Sequence, residues 1–241
     1  MRVLLAIAIT FAASSSAAAD DDHVVPLRTH TTVFTPTGEL LRRGQFQRTW
    51  SVAMQWDLGV GLSDRVELRL QALAALAGDL QLRVDVMPAS SPLRLVLGGG
   101  AAGTFLNGGK AWIDGSVTAA YRGDGWQAHA TARLWNRLGA GVDIGLASAG
   151  LMGRFGKHGQ HVLFVDAGQL AWHEAVPCPA ARAVEPAPSP TCANGDSVVG
   201  VALGAWFGRI DDMTIGLSVT VARVGDQVIP IGPLLTMSWG D

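Results

Sequence analysis

Residues Gln47–Val60 read QRTWSVAMQWDLGV. The even positions are Arg48, Trp50, Val52, Met54, Trp56, Leu58 and Val60, and the odd ones are Gln47, Thr49, Ser51, Ala53, Gln55, Asp57 and Gly59. Successive side chains of a β-strand leave opposite faces of the sheet, so this alternation describes a strand with one large, apolar face and one polar or small face. Two different environments must lie on its two sides.

The same period recurs in both directions. Val66, Leu68 and Leu70 alternate with Glu67, Arg69 and Gln71; Leu80, Leu82, Val84 and Val86 alternate with Gln81, Arg83 and Asp85. Further on, Trp126, Ala128, Ala130, Ala132 and Leu134 alternate with Gln127, His129, Thr131 and Arg133, and Met213 to Val221 alternates in the same way. A helical period is absent from the chain beyond its first 19 residues, apart from a weak possibility at Leu70–Ala77. The fold class is all-β.

Composition says what those faces meet. Of 241 residues, 49% are hydrophobic and only 16% charged, where a soluble domain carries about 25% charged residues. Much of the surface is therefore turned to something other than water. The net charge of −2 comes without a basic block or stripe to neutralise phosphates, which argues against nucleic acid as a partner.

Met1-Arg2, the apolar run Val3–Ala13 and the exit Ala17-Ala18-Ala19 before Asp20-Asp21-Asp22 have the pattern of a secretory signal cut after Ala19. The organisation read from the sequence is thus a signal peptide over 1–19 and a single domain over 20–241. Cys178 and Cys192 bracket Pro179, Pro186, Pro188 and Pro190. In an exported chain such a pair reads as a disulfide closing a loop over 173–196, contributing about 3 kcal/mol through loop entropy.

Turn signals fall at Gly61–Asp64, Met87–Ser91, Arg122–Gly125, Gly156–Gln160 and Gly208–Asp212, and connections around 36–43, 75–78, 107–110, 136–139, 178–196 and 225–228. With an initial strand near Val24–Thr35, this predicts about twelve strands (10–12) joined by alternating short and usually longer connections. The alternation resembles the transmembrane antiparallel up-and-down β-barrels of Gram-negative outer membranes. The closing strand Val228–Trp239, with Ile231, Leu235, Met237 and Trp239 on one face, is similar to the aromatic-ended last strand of that superfamily, although Gly240 and Asp241 follow. Thr35-Pro36-Thr37-Gly38 and the turn at Leu62-Ser63-Asp64-Arg65 look like small barrel proteins of myxobacterial type. The resemblance implies an outer-membrane location, both termini in the periplasm, and outer-membrane lipid and the barrel assembly machinery as partners. Lipid around the wall demands closure, because an unpaired edge group costs several kcal/mol in hydrocarbon.

In such a barrel Trp112, Trp126, Trp135, Trp172, Trp206 and Trp239, each near a strand end, are the membrane-interface aromatics. The polar face then lines the lumen with Asp57, Glu67, Arg69, Arg83, Asp85, Arg94, Asp114, His129 and Arg133, four arginines against four carboxylates. Balanced signs point to cross-strand ion pairs and away from a selectivity ring of one sign. A register setting Arg69 opposite Arg83 also sets Glu67 opposite Asp85, so the sequence predicts either Arg69 opposite Asp85 or Glu67 opposite Arg83. Paired side chains, or the segment Thr35–Gln45, are candidates for occluding the lumen. For Gly200, Ala202 and Gly204 against Val199, Val201 and Leu203, the pattern leaves the face open.

Several fragments look catalytic or ligating and read better as structure. Gly98–Gly103 continues a strand and is not followed by the Lys-Ser/Thr of a phosphate loop. Gly195-Asp196-Ser197 has no Asp-x-x-His nearby. His158 and His161 flank a turn with no third ligand in view. No cofactor, metal or enzymatic site is expected. The predicted role is a porin-like small-solute channel or a barrel that presents its loops. The competing reading is a soluble periplasmic or secreted barrel that binds an apolar ligand inside, with the faces inverted.

Overall fold

The computed structural model describes residues 36–51, 55–73, 77–104, 110–137, 142–156, 161–177, 191–210 and 213–240. In chain order the strands are β1 Phe46–Ser51, β2 Gln55–Ser63, β3 Val66–Leu73, β4 Ala77–Asp85, β5 Leu93–Thr104, β6 Lys110–Arg122, β7 Trp126–Arg137, β8 Val142–Phe155, β9 His161–Pro177, β10 Thr191–Ile210, β11 Met213–Val224 and β12 Gln227–Gly240. Each pairs antiparallel with its chain neighbours, and β1 closes on β12 from Gln47↔Gly240 to Ser51↔Thr236. Closure leaves no sheet edge to be solvated.

The barrel reaches twelve strands by a route that differs from the sequence reading. Gln47–Val60 is not one strand but the β1–β2 hairpin, with Arg48 opposite Leu58 and Trp50 opposite Trp56. Partners in this register have the same parity, so the alternation passes through the reversal without a phase break and the turn is invisible to periodicity. The strand expected near Val24–Thr35 lies outside the described residues, as does the 1–19 signal, and the described barrel closes without either. The helical possibility at Leu70–Ala77 is overturned: Leu70–Leu73 belongs to β3 and Ala77 to β4.

β9 and β10 also run further than expected, pairing from Trp206↔Val162 up to Thr191↔Pro177. The expected loop over 173–196 is therefore shorter, its flanks being strand. Cys178 lies outside the described residues, and Cys192 stands opposite Val176 in the register. In the β11–β12 pairing a register shift between Val219 and Thr220 of β11 sets Pro233 opposite Val219 and Ile231 opposite Thr220. Prolines lack the ladder N–H and sit at such irregularities. The shift moves Ile231 off the face shared by Leu235, Met237 and Trp239.

The two faces differ in kind. Leu82, Leu97, Val117, Leu134, Leu203, Leu217 and Val219 are exposed on the outside, whereas Glu67, Arg83 and Asp166, each 1% exposed, are buried within. This is the reverse of what a soluble barrel with an apolar interior requires. At the mouth where β1 begins and β12 ends, the outer wall carries aromatic side chains. Tyr121 and Trp126 flank the β6–β7 turn with centroids 5.7 Å apart. Phe155 and His161 (5.1 Å) flank the β8–β9 connection, and Phe207 lies 5.9 Å from His161. Phe46 starts β1, and Arg48 sits 5.3 Å over the ring of Trp239. Amphipathic rings at one level are what a headgroup boundary selects. Strands β5, β6, β7 and β11, of 12 or 13 residues, exceed the ~9–11 that a tilted membrane strand needs.

Candidate functional site: a charge-paired and plugged lumen

Short-range pairing builds the inner wall of β2–β7. Glu67 faces Arg83 directly, 3.4 Å apart, which is one of the two registers that avoid like-charge pairs. Arg69 grips Asp57, its Nε donating to Oδ1 at 2.7 Å, and Arg94 reaches Asp85 at 2.9 Å. Thr118 and Thr131 share a hydroxyl hydrogen bond of 2.8 Å.

One arginine joins distant strands. Arg133 on β7 donates from Nε to Asp114 on β6 at 2.8 Å and from Nη1 to Gln71 on β3 at 3.2 Å. Its Nη2 also pairs with Asp79 on β4, and the guanidinium lies 4.4 Å from the ring of Trp135. Gln81 completes the network by crossing β5, its Nε2 donating to Asp114 at 2.9 Å and Ser116 at 2.8 Å. That crossing needs the glycines of β5: a Cβ on Gly98 would lie 2.9 Å from Gln81 Nε2, and one on Gly100 2.7 Å from Asp114 Oδ1. The Gly98–Gly103 run thus serves packing.

On the opposite wall the lumen face is small or apolar. Gly200, Ala202 and Gly204 point inward with Ser218, Thr220 and Ala222, while Val199, Val201 and Leu203 point out. Met152, Val162, Phe164 and Trp206 form a buried cluster. Between the two walls, His129 faces Asp166 across Gly150; both nitrogens of this buried imidazole lack a hydrogen-bond partner among the described residues.

The segment 36–43, expected as a connection between strands, lies within the mouth where β1 begins and β12 ends. Thr37 is fully buried, and its carbonyl accepts from Gln127. Leu41 N–H donates to Glu67 Oε2 at 2.9 Å, Arg43 N–H to Asp64 at 3.2 Å, and Glu39 pairs with Arg122 at 3.1 Å. Gly44, at φ 78°, turns the chain into β1 in a left-handed conformation that glycine adopts without a steric penalty. Its N–H donates to Gly61 O at 2.8 Å. Gly61 admits the segment, since a Cβ there would meet the carbonyl carbon of Arg42 at 2.6 Å. Overpacking costs about 1–3 kcal/mol. Gly61→Ala is therefore expected to speed trypsin cleavage at Arg42 or Arg43 about 5- to 150-fold, following the population of the undocked segment.

All nine residues read as lumen-lining point inward, and the structure adds Gln71, Asp79, Gln81, Gln127 and Asp166 beside them. Of the six tryptophans read as interface aromatics, Trp126 and Trp239 face outward. Trp112 and Trp206 are buried on the inner face, and Trp135 stacks on the lumenal Arg133. Trp172 shares the inward register of Gly168. Nearness to a strand end does not fix the face; parity with Asp114, Arg133 and Asp166 does.

Fold and faces together define the class: a transmembrane antiparallel β-barrel. No protein-family model matches the chain, and no curated protein does. Among solved structures, a chain from work on the in-meso crystallization of membrane proteins matches with a TM-score of 0.52 at 10% identity, over 82% of this chain and 83% of that one. A loop L8 deletion form of OmpT, an outer membrane protein of Vibrio cholerae, matches at 0.47 and 12% identity, over 88% of this chain and 70% of its own. The NanC porin matches at 0.45 and 5% identity, over 81% and 97%.

Proposed function

We propose that the chain is an integral outer-membrane barrel, porin-like in its wall, that passes small solutes when residues 36–45 withdraw from the mouth they occupy. The observation that carries this reading is the pairing of an apolar, aromatic-collared exterior with a hydrogen-bonded segment seated inside one mouth. The exterior suits lipid, and the lumen wall offers a polar path. Hydrogen bonds and one ion pair hold the segment, so its release is reversible on energetic grounds. In this reading both chain termini and the aromatic collar lie on the periplasmic side, the 1–19 segment is the export signal, and Cys178 and Cys192 form a disulfide on the opposite side. The barrel performs no catalysis.

Planar-bilayer recording tests it. The full chain is expected to be closed for most of the time, and deletion of residues 36–43 to give discrete, sustained conductance steps. A deletion variant that folds, as judged by a heat-modifiable gel shift, yet stays silent would favour the second reading, a closed barrel presenting its loops. That reading draws on the Arg133 network, which bridges β3, β4, β6 and β7 across the lumen independently of the segment.

A further inference from the structure

A cavity of about 260 Å³ opens at the plugged mouth, lined by Glu39, Arg122, Gln127, Met152, Arg154 and Val162 among others. The register explains this grouping. Arg122, Gln127 and Met152 are successive partners across β6, β7 and β8, and Arg154 pairs with Val162 one step nearer the rim. Two arginines therefore line a small space with one acidic residue, Glu39. Arg122 is committed to Glu39 at 3.1 Å, but its buried Nε has no hydrogen-bond partner among the described residues. Arg154 is anchored through its backbone N–H, which donates to Gly125 O at 2.7 Å. The floor is apolar, with Met152 and Val162 belonging to the buried cluster with Phe164 and Trp206.

We propose that this cavity binds a small organic monoanion, a carboxylate on a compact apolar body, and that the bound carboxylate competes with Glu39 for Arg122. Guanidinium forks match carboxylates in a bidentate manner, and the Gln127 amide and the apolar floor supply a further donor and a dry surface. The volume is below the ~300 Å³ at which drug-sized sites begin, which limits the ligand to about one ring or a short chain beyond its acid group. Because Glu39 belongs to the closing segment, occupancy loosens one of the contacts that hold it. This consequence rests on the proposed role of residues 36–45; the binding itself does not.

Benzoate is the probe and benzyl alcohol its uncharged counterpart, each titrated calorimetrically into the refolded full chain in detergent. Benzoate is expected to bind at least about tenfold more tightly than benzyl alcohol, the size of one charge-assisted contact. Arg154→Gln is expected to weaken benzoate by a similar factor, and Glu39→Gln, which removes the competitor, to strengthen it. Equal affinity for the two probes, no change with Arg154→Gln, or weaker binding with Glu39→Gln would overturn the site. Saturating benzoate is further expected to accelerate trypsin cleavage at Arg42 or Arg43; an unchanged rate alongside Arg154-dependent binding would overturn the competition and leave the site standing. The conductance of the 36–43 deletion tests the closing role separately, so the failure of one reading is not mistaken for failure of the other.

Discussion

Arg133→Leu is expected to destabilise the barrel by about 3–5 kcal/mol, the cost of stripping a buried carboxylate of its partner. The guanidinium serves two acids at once, Asp79 and Asp114, whose side chains are 14% and 0% exposed. It also ties Gln71 on β3 to β7. Leucine has the bulk to fill the space but leaves two negative charges side by side in a low-dielectric lumen. Urea unfolding of the chain refolded into lipid vesicles measures the loss. Arg133→Lys should fall between, because it retains charge but not the fork that reaches Asp114, Asp79 and Gln71. Adding Asp114→Asn to Arg133→Leu should recover part of the loss, and the double-mutant cycle isolates that coupling. A loss below about 1 kcal/mol, the range of solvated pairs, would mean that water reaches this network.

Leu203→Arg carries the second large effect. Leu203 is half exposed on the outer face near the middle of β10, between Val165 and Val219. Facing hydrocarbon, an arginine there costs about 2–4 kcal/mol, decreasing to ~0–1 near the interface. Facing water, the same change stays within about ±0.5 kcal/mol. Val228→Arg, on the outer wall beside the β11–β12 turn, is the matched rim control and should be nearly neutral. If both substitutions cost the same small amount in vesicles, lipid does not surround this wall and the proposed location fails.

How much could be read in advance depended on where charge lay. On β2–β7 the inner face carries Asp57, Arg69, Arg83, Asp114 and Arg133, and simple alternation assigned it. Between Ser197 and Gly208 β10 carries no charge on either face, so Gly200 and Val201 give no polarity to read; size decides there, with the small Gly200, Ala202 and Gly204 inward. The β1–β2 reversal escaped because the hairpin register preserves parity. Asp79 was missed by one step, since the alternation from Leu80 to Val86 extends to it once β4 is allowed to begin at Ala77. The seat of residues 36–45 has no periodic signature at all. Its contacts, Leu41 to Glu67 and Thr37 to Gln127, join positions 26 and 90 residues apart, and such long-range pairing leaves no local trace.

The bare stretch of β5 under the Gln81 side chain bears on the order of assembly. Gln81 spans from β4 to β6 over Gly98 and Gly100, like a strap over a slat. The strap cannot fasten until the slat is seated, and Arg133 cannot tighten against Asp79 and Asp114 until β7 has followed. Glu67 and Arg83 can pair as soon as the β3–β4 hairpin forms, whereas the links through Arg133 to Asp79, Asp114 and Gln71 wait for the seventh strand.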